Sequence, residues 1–330
     1  MVFFEGGGAC WDAVTCSLPR LPGVPPQLAG VYKQEIPASD DPTVLDGLFN
    51  LSNPANPVKD WTFVYIPYCT GDVHLGSKDV TYQNVIGNPF VPASYTIHHR
   101  GFDNFMVVLE WMKAHVGQPR RLLVTGSSAG AYGAMGNFPW LAETFRHARA
   151  AVLGDAGQGV TTATWDAAAR QGNWNFQLAP WVFGTDAGAV RSDQVAKGVA
   201  QHYRRARFAQ FTTHLDTTQV NFYATMKRFY PPGGLCPNVA VDWNNLMLPA
   251  LGDTATLPNF RFFVADGTYH TILRYPHFYT DVSAGQPFSQ WLHTMLTGDL
   301  ERDDERCGHD DEPVWTSAAC PTCLTPLPCQ

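Results

Sequence analysis

The chain has 330 residues, of which 45% are hydrophobic, 13% aromatic and only 15% charged, and its formal net charge is −7. This composition predicts a soluble globular protein, and the lack of a basic stripe argues against nucleic acid as a partner. No apolar run approaches the ~18–20 residues that a membrane-spanning helix needs. We therefore expect one large α/β domain or two smaller ones, and the absence of a Gly/Ser linker favours a single domain.

The first residues read as a buried strand that enters a glycine loop. Met1 is followed at once by the strand-like segment 2–5 and then by Gly6, Gly7 and Gly8. A charged leader followed by a hydrophobic signal stretch is not seen. Two interpretations stay open: a leader and one or two early strands were removed, or the start of the sequence was assigned too far downstream.

Strand-like segments alternate with helix-like ones, which is the pattern of a mostly parallel sheet covered on both faces. The predicted strands are residues 2–5, 61–67, 121–125, 150–153, 208–215 and 260–265, and the clearest predicted helix is 102–116. Residues 158–207 and 217–258 lack strand character, so we interpret them as insertions that form a helical lid. We expect residues 1–300 to be a single catalytic domain with its lid around 158–207, and 301–330 to be a Cys/Pro-rich tail.

A serine stands at the end of the predicted strand 121–125. The apolar run continues into Gly126-Ser127-Ser128-Ala129-Gly130, and a helix-compatible segment follows. Strand, Gly-x-Ser-x-Gly and helix are the parts of a nucleophile elbow, in which a sharp turn lifts the serine hydroxyl into an open site. We therefore predict that Ser128 is a catalytic nucleophile.

A serine nucleophile needs a base, an acid that orients the base, and donors for the oxyanion. His270 follows the predicted strand 260–265 through a glycine turn, which makes it the best base among 11 histidines. Asp216 follows the strand 208–215, with Gln219 close enough to bind it, and is the preferred acid. Asp155 and Asp266 remain as alternative acids.

Two groups of backbone amides are candidates for the oxyanion hole. The first is the N–H of Ala129, which follows the nucleophile at a predicted helix start, where the helix dipole also favours negative charge. The second is the run Gly6 to Gly8, because amides without side chains can approach a substrate oxygen closely.

Eight cysteines indicate an oxidising compartment. Cys10 and Cys16 are spaced for a local disulfide loop. The tail is rich in cysteine and poor in apolar residues, so cross-links would hold it down; a zinc knot is the alternative. Because paired Cys-x-x-Cys units at ribbon spacing are missing, we favour disulfides. The tail residues concerned are Cys307, Cys320, Cys323 and Cys329, with His309 as a further zinc ligand candidate.

Four blocks in this order resemble the pectin acetylesterase (Notum-like) family of serine carboxylesterases. They are Glu5-Gly6-Gly7-Gly8-Ala9-Cys10 with Cys16, Tyr68-Cys69-Thr70-Gly71-Asp72-Val73, Gly126-Ser127-Ser128-Ala129-Gly130, and Asp216-Thr217-Thr218-Gln219 followed by His270. The resemblance runs from about residue 3 to 273. It implies an α/β-hydrolase fold, secretion, no metal or other cofactor, and hydrolysis of carboxylic esters. It also implies the triad Ser128, Asp216 and His270 and an oxyanion hole formed by Gly7, Gly8 and Ala129.

The chain departs from the family beside the glycine loop. Plant members read Gly-Gly-Gly-Trp-Cys, whereas Gly8 and Ala9 stand in that stretch here. We therefore expect a more open entrance bordered by Trp11, Trp165 and Trp181, with Asp72 as a further substrate-binding residue.

The predicted function is a secreted serine carboxylesterase, extracellular or periplasmic and monomeric. It would remove acyl groups, through an acyl-enzyme, from a polysaccharide or other large substrate. One alternative is a polyester or aryl-ester hydrolase with an open aromatic cleft, and another is an inactive hydrolase-fold protein that binds carbohydrate or lipid.

Overall fold

The computed structural model describes residues 1–20, 30–230, 236–298 and 314–329. Seven strands of this part form one sheet in the order β7-β6-β5-β4-β3-β1-β2, and every neighbouring pair is parallel. The predicted α/β-hydrolase arrangement is thereby confirmed. The strands are β1 (Val2–Phe4), β2 (Val64–Ile66), β3 (Arg121–Ser127), β4 (Arg149–Asp155), β5 (Arg207–Thr213), β6 (Phe260–Ala265) and β7 (Ala318–Ala319).

The sheet is buried on both faces, which explains why its strands are largely apolar. In β1, Val2 and Phe4 point into one hydrophobic core and Phe3 into the other. The same alternation places Leu122 and Leu123 of β3 in opposite cores. Because neighbouring side chains of a strand point to opposite faces, a strand that is covered on both faces buries side chains at successive positions.

Helices cover both faces. The first core lies under α1 (Gly101–His115), α2 (Ala129–Thr144), α3 (Val195–His202), α4 (Thr217–Phe229) and α5 (Val239–Thr254), and the second under α6 (Phe288–Thr297). Short helices are Ala163–Trp165, Pro180–Phe183, His277–Thr280 and the π-helix Asp166–Asn173. Short 3₁₀ turns are Thr15–Ser17, Ala38–Asp40, Pro42–Val44, Gly47–Phe49, Ala187–Ala189 and Ser192–Gln194. Small strand pairs are Pro19–Arg20 with Tyr32–Lys33, Lys78–Gln83 with Ser94–His99, and Val282–Ser283 with Gln286–Pro287. Within the described ranges, no helix could cross a membrane.

The stretch 217–258 is part of the fold and not an inserted lid. It forms α4 and α5, whose buried residues Tyr223 and Trp243 belong to the first core. Its Pro and Asn residues hid this periodicity, because Asn238 caps α5 and Pro249 lies inside that helix. Residues 158–207 differ from residues 217–258, because short helices and turns precede α3 in that stretch.

The tail packs more closely than its composition suggests. Its segment β7 extends the sheet beside β6, and Trp315 is fully buried. Disulfides join Cys320 to Cys323 and Cys236 to Cys329, so the zinc-knot thiols of the described tail are already used. Cys307 and His309, which were named with them, lie outside the described residues.

Candidate functional site

Ser128 occupies the turn between β3 and α2. Its φ of 58° and ψ of −122° are unusual for a residue with a side chain and cost on the order of 1–3 kcal/mol. The turn is held by its own amide, which donates to the carbonyl of Asp155 at 2.7 Å. A Cβ at Gly130 would lie 1.9 Å from the carbonyl of Phe4, so only glycine lets β1 pass this close to the helix start. These features are those of a nucleophile elbow.

His270 and Asp216 form a hydrogen-bonded pair at the same edge of the sheet. The Nδ1 atom of His270 lies 2.8 and 3.0 Å from the two carboxylate oxygens of Asp216, which is fully buried. A carboxylate can only accept, so Nδ1 carries the proton and Nε2 is left as an acceptor. Nε2 is buried and has no hydrogen-bond partner within the described ranges. The histidine therefore has the tautomer that a general base requires.

The orientation of Asp216 is fixed by the start of α4. Its Oδ1 accepts hydrogen bonds from the amides of Thr218 and Gln219, both at 3.0 Å, as the N-cap of that helix. The side-chain amide of Gln219 donates to Oδ2 at 3.1 Å. These three hydrogen bonds fix the carboxylate in the position from which it binds the imidazole of His270.

A single cavity of about 90 Å³ connects these residues. Ser128, His270, Gly8 and Ala129 all line it. Its walls are mainly apolar and aromatic, and they include Trp11, Trp165, Trp174, Phe176, Phe222 and Met226.

The expectation of an open entrance is not met by these walls. Trp11 is fully buried and packs edge-on against Trp165, with ring centroids 5.5 Å apart. Trp165 in turn packs edge-on against Trp174, with ring centroids 5.6 Å apart. The ring that is missing beside Gly8 is thus replaced by one three residues later.

The glycine loop is fixed tightly beside the elbow. Gly8 has φ of +77°, and a Cβ there would lie 2.0 Å from the carbonyl of Val31. Its own carbonyl accepts a hydrogen bond from the hydroxyl of Tyr68 at 3.0 Å. Gly7 lies behind the cavity wall, where a Cβ would meet the ring of Tyr68 at 2.8 Å and the side chain of Lys33 at 3.0 Å. Gly8 and Ala129, and not Gly7, lie in the described wall beside Ser128.

A buried charge network supports this loop from below. The ammonium of Lys33 binds Glu5, which precedes the glycines, and also Asp40 at 2.7 Å. Asp40 accepts from Arg274, in the loop after His270, at 2.8 Å. Glu5 also accepts from the amide of Tyr68 at 2.8 Å. Burial raises the pKa of Glu5, and Lys33 opposes that rise. The glycine loop and the loop after His270 therefore share one set of charges.

Asp155, an alternative acid, does not bind the ring of His270. It lies at the end of β4 and accepts from the hydroxyl of Ser127 at 2.6 Å and from the amides of Ile272 and Leu273 at 3.0–3.1 Å. Burial raises its pKa to about 6. Asp155 thus connects the residue before the nucleophile with the segment after His270, whereas the other alternative, Asp266, is exposed and caps its own turn.

Two residues predicted to bind substrate lie elsewhere. Trp181 is 43% exposed, packs on Trp140 and donates to Tyr203 at 2.9 Å, away from the described cavity wall. Asp72 is fully buried and accepts from the amide of Gly101 at 2.7 Å, at the start of α1. Burial raises the pKa of Asp72 to about 6. Both were placed near the site by their sequence neighbours, and neither reaches it.

Sequence comparison gives the family. The sequence profile described as Pectinacetylesterase matches residues 1–173, slightly more than half of the chain. The chain belongs to the pectinacetylesterase family. Like the other members of this family, it is a carboxylic ester hydrolase. The matched region contains Ser128 and the glycine loop, and it ends before Asp216 and His270.

Structural comparison supports the same fold. A structure of the Wnt deacylase Notum from Drosophila matches with a TM-score of 0.61 and 16% sequence identity, covering 99% of this chain and 90% of that chain. A search of curated proteins by sequence gives no match. At this identity, the likeness concerns the α/β-hydrolase fold.

A disulfide loop lies next to the glycine loop. Cys10 and Cys16, the pair predicted from their spacing, form a disulfide directly after the glycine loop. The carbonyl of Cys10 accepts from the indole of Trp174 at 2.9 Å, and the carbonyl of Trp11 from Asn173 at 2.6 Å. The disulfide loop is thereby bound to the segment that forms the cavity wall.

Proposed function

We propose that this protein is a serine carboxylesterase with Ser128 as nucleophile, His270 as general base and Asp216 as the acid that orients it. The observation that carries the proposal is that Ser128, in a strained turn, lines the same cavity as the unpartnered Nε2 of His270. A catalytically silent binding protein would have no need of either feature. The strain of the turn and the paired imidazole both have an obvious use in acyl transfer.

The reaction would proceed in two halves. Nε2 of His270 takes the hydroxyl proton of Ser128 while the oxygen attacks the ester carbonyl, and the tetrahedral oxyanion is bound by the amides of Gly8 and Ala129. His270 then gives the proton to the departing alcohol, which leaves an acyl-enzyme. Water enters, loses a proton to His270 and releases the acid by the same steps in reverse.

The shape of the cavity favours a small acyl group over a broad cleft. A cavity of about 90 Å³ is smaller than the ~150 Å³ apolar cavity that holds a benzene ring. The acyl part of the ester is the part that fits inside, and the alcohol stays outside. An acylated polysaccharide or another large alcohol is compatible with this division, because only the acyl group must enter.

Three disulfides support secretion to an extracellular or periplasmic compartment. The segment 158–207 supplies Trp165 and Trp174 to the cavity wall, and we propose that it is the lid of this single catalytic domain. Its short helices and its hydrogen bonds to the Cys10–Cys16 loop support that role.

A fluorophosphonate probe followed by peptide mapping tests the nucleophile. Labelling is expected on Ser128 and is lost in Ser128→Ala, whereas Ser127→Ala keeps the label on Ser128. Removal of the nucleophile is expected to lower kcat for 4-nitrophenyl acetate by a factor on the order of 10⁴ or more. Labelling of another residue in the wild-type protein would contradict the proposal.

A matched pair of carboxylates tests the acid. Asp216→Asn removes the partner of His270 and is expected to lower kcat about 10⁴-fold, because the histidine loses its required tautomer. Asp266→Asn changes an exposed carboxyl only four residues from His270 and serves as the control. Equal losses in the two variants would show that Asp216 has no special role.

A further inference from the structure

Arg170 is a buried cation in the wall of the catalytic cavity. Its side chain is 1% exposed, and it lines the same cavity as Ser128 and His270. It belongs to the π-helix Asp166–Asn173. Such π-helical turns are rare and are frequently found at functional sites. Neither the triad nor the oxyanion hole uses this residue.

Only one side of its guanidinium is occupied. Nη1 donates to the carbonyl of Val190 at 2.6 Å and lies 3.4 Å from Asp166. The plane of the group covers the ring of Phe176, 4.1 Å from its centroid. Nε and Nη2 are buried and have no hydrogen-bond partner within the described ranges. These two nitrogens form one edge of the guanidinium, where their N–H groups are parallel.

This edge of an arginine matches a carboxylate. In this chain Nε and Nη2 of Arg100 hold the two oxygens of Asp79 at 2.7 and 2.8 Å. Arg191 holds Asp193 in the same way at 2.9 and 2.5 Å. Two parallel N–H groups to two oxygens is the strong, geometrically specific pairing of arginine. In Arg170 the corresponding pair of nitrogens has no partner among the described residues, and the residue lines the cavity.

Two tryptophans of the cavity wall also carry hydrogen-bond donors without a partner among the described residues. The indole N–H groups of Trp11 and Trp165 are buried and have no hydrogen-bond partner among the described residues. A purely hydrocarbon acyl group would leave all these donors unsatisfied, and a buried donor without an acceptor is unfavourable. An acyl group that carries acceptor oxygens would satisfy them.

We propose that Arg170 binds a carboxylate at the far end of the acyl group, so that the preferred substrates are half-esters of dicarboxylic acids. The proposal rests on the proposed function, because Ser128 opens the ester at the other end of the same acyl chain. Asp166 shares only Nη1, and Asp193 is bound to Arg191. The unpartnered edge therefore meets the substrate with its positive charge, and the aromatic walls enclose the methylene groups between the two ends.

A matched series of ethyl esters tests this with the full chain, by proton release at constant pH. Monoethyl succinate, glutarate and adipate are compared with ethyl butanoate, pentanoate and hexanoate, in which a methyl group replaces the distal carboxylate. For the best length, kcat/KM of the half-ester should exceed that of its neutral partner by roughly 10–100-fold, the range of a bidentate charged hydrogen bond. Equal values throughout the series would overturn the proposal and leave the serine esterase unaffected.

Variants at position 170 separate binding from folding. Arg170→Met keeps the length and the apolar contact with Phe176, and it should abolish the preference, so that the ratio of kcat/KM for the half-ester to kcat/KM for its neutral partner falls to about one. Arg170→Lys keeps the positive charge but lacks the two parallel N–H groups. It should therefore keep only part of the preference for the half-ester. If Arg170→Met fails to fold, judged by circular dichroism, Arg170→Lys decides. An undiminished preference in a folded variant rules out Arg170 as the anchor.

Binding decides the question if no ester is turned over. Monoethyl adipate and ethyl hexanoate are then titrated by calorimetry into Ser128→Ala and into the double variant with Arg170→Lys. Tighter binding of the half-ester that is lost with Arg170 supports the anchor even though the proposed esterase function has failed. Equal binding of both ligands overturns it.

Discussion

Replacing Asp155 by asparagine should change how the stability of the protein depends on pH. The carboxyl group is fully buried, and burial raises its pKa from 3.8 to about 6. Hydrogen bonds from Ser127, Ile272 and Leu273 act in the opposite direction and only partly offset this effect. The folded protein therefore prefers the neutral acid, and the asparagine side chain is neutral at every pH.

The magnitude follows from proton linkage. Because the folded-state pKa lies above the unfolded one, this group's favourable contribution to stability is complete below pH 3.8 and is lost as the pH rises to about 6. A rise in pKa from 3.8 to about 6 corresponds to ~3 kcal/mol. Between pH 4 and pH 7, the wild-type protein should lose ~2–3 kcal/mol relative to Asp155→Asn.

Urea unfolding at pH 4, 5, 6 and 7, with the disulfides intact, measures this difference. His74 and His99 change the wild-type curve in the opposite direction, because burial lowers the pKa of each to about 4. Their effect is common to both proteins and cancels in the difference. The variant also lacks one acceptor for the backbone amides, which lowers its stability by a constant amount. A difference in unfolding free energy that stays constant from pH 4 to 7 would refute the reasoning.

Three further predictions concern the oxyanion loop. Gly8→Ala should lower kcat/KM for 4-nitrophenyl acetate by more than 100-fold, because φ is +77° and the new Cβ would lie 2.0 Å from a backbone carbonyl; near-normal kinetics would place the loop elsewhere. Lys33→Met should lower the urea-unfolding free energy by about 3–5 kcal/mol, because it leaves the fully buried Glu5 without its cation; a loss below ~1 kcal/mol would show that water reaches Glu5. Replacing Cys10 and Cys16 by serine should cost ~2 kcal/mol in the same assay. Mass mapping of protein never exposed to reductant should find the two cysteines linked, and free thiols would contradict the pairing.

The parts of the site that follow strands could be predicted from the sequence. Ser128 comes directly after β3, Asp216 and His270 follow β5 and β6 after short turns, and parallel strands place their carboxyl ends at one edge of the sheet. Local patterns were enough here because the elbow and the strand ends depend on neighbouring residues. The hydrogen bond between Asp216 and His270 agrees with the predicted acid and base.

The wall of the cavity could not be predicted in this way. Trp181 and Trp165 lie in the same tryptophan-rich stretch, yet Trp165 lines the cavity and Trp181 packs on Trp140 outside it. Short helical turns separate them, so no single periodicity relates the directions of their side chains. Arg170 had no local signal either, because its surroundings come from residues about 20 positions downstream and from the ring of Phe176.

The order of the strands explains why a residue outside the proposed triad is needed to bring Ser128 and His270 together. Ser128 follows β3 and His270 follows β6, and β4 and β5 lie between them. Neighbouring strands are ~4.8 Å apart, so the histidine loop must cross ~14 Å to reach the serine. Asp216, at the end of β5, lies between the two ends of this path and binds the imidazole of His270. Asp155, at the end of β4, binds the amides of the two residues that follow Thr271 and the hydroxyl beside the nucleophile. Without the hydrogen bonds to Asp155, the histidine loop would stay near its own strand. Asp155→Asn is therefore expected to lower kcat more than it raises KM.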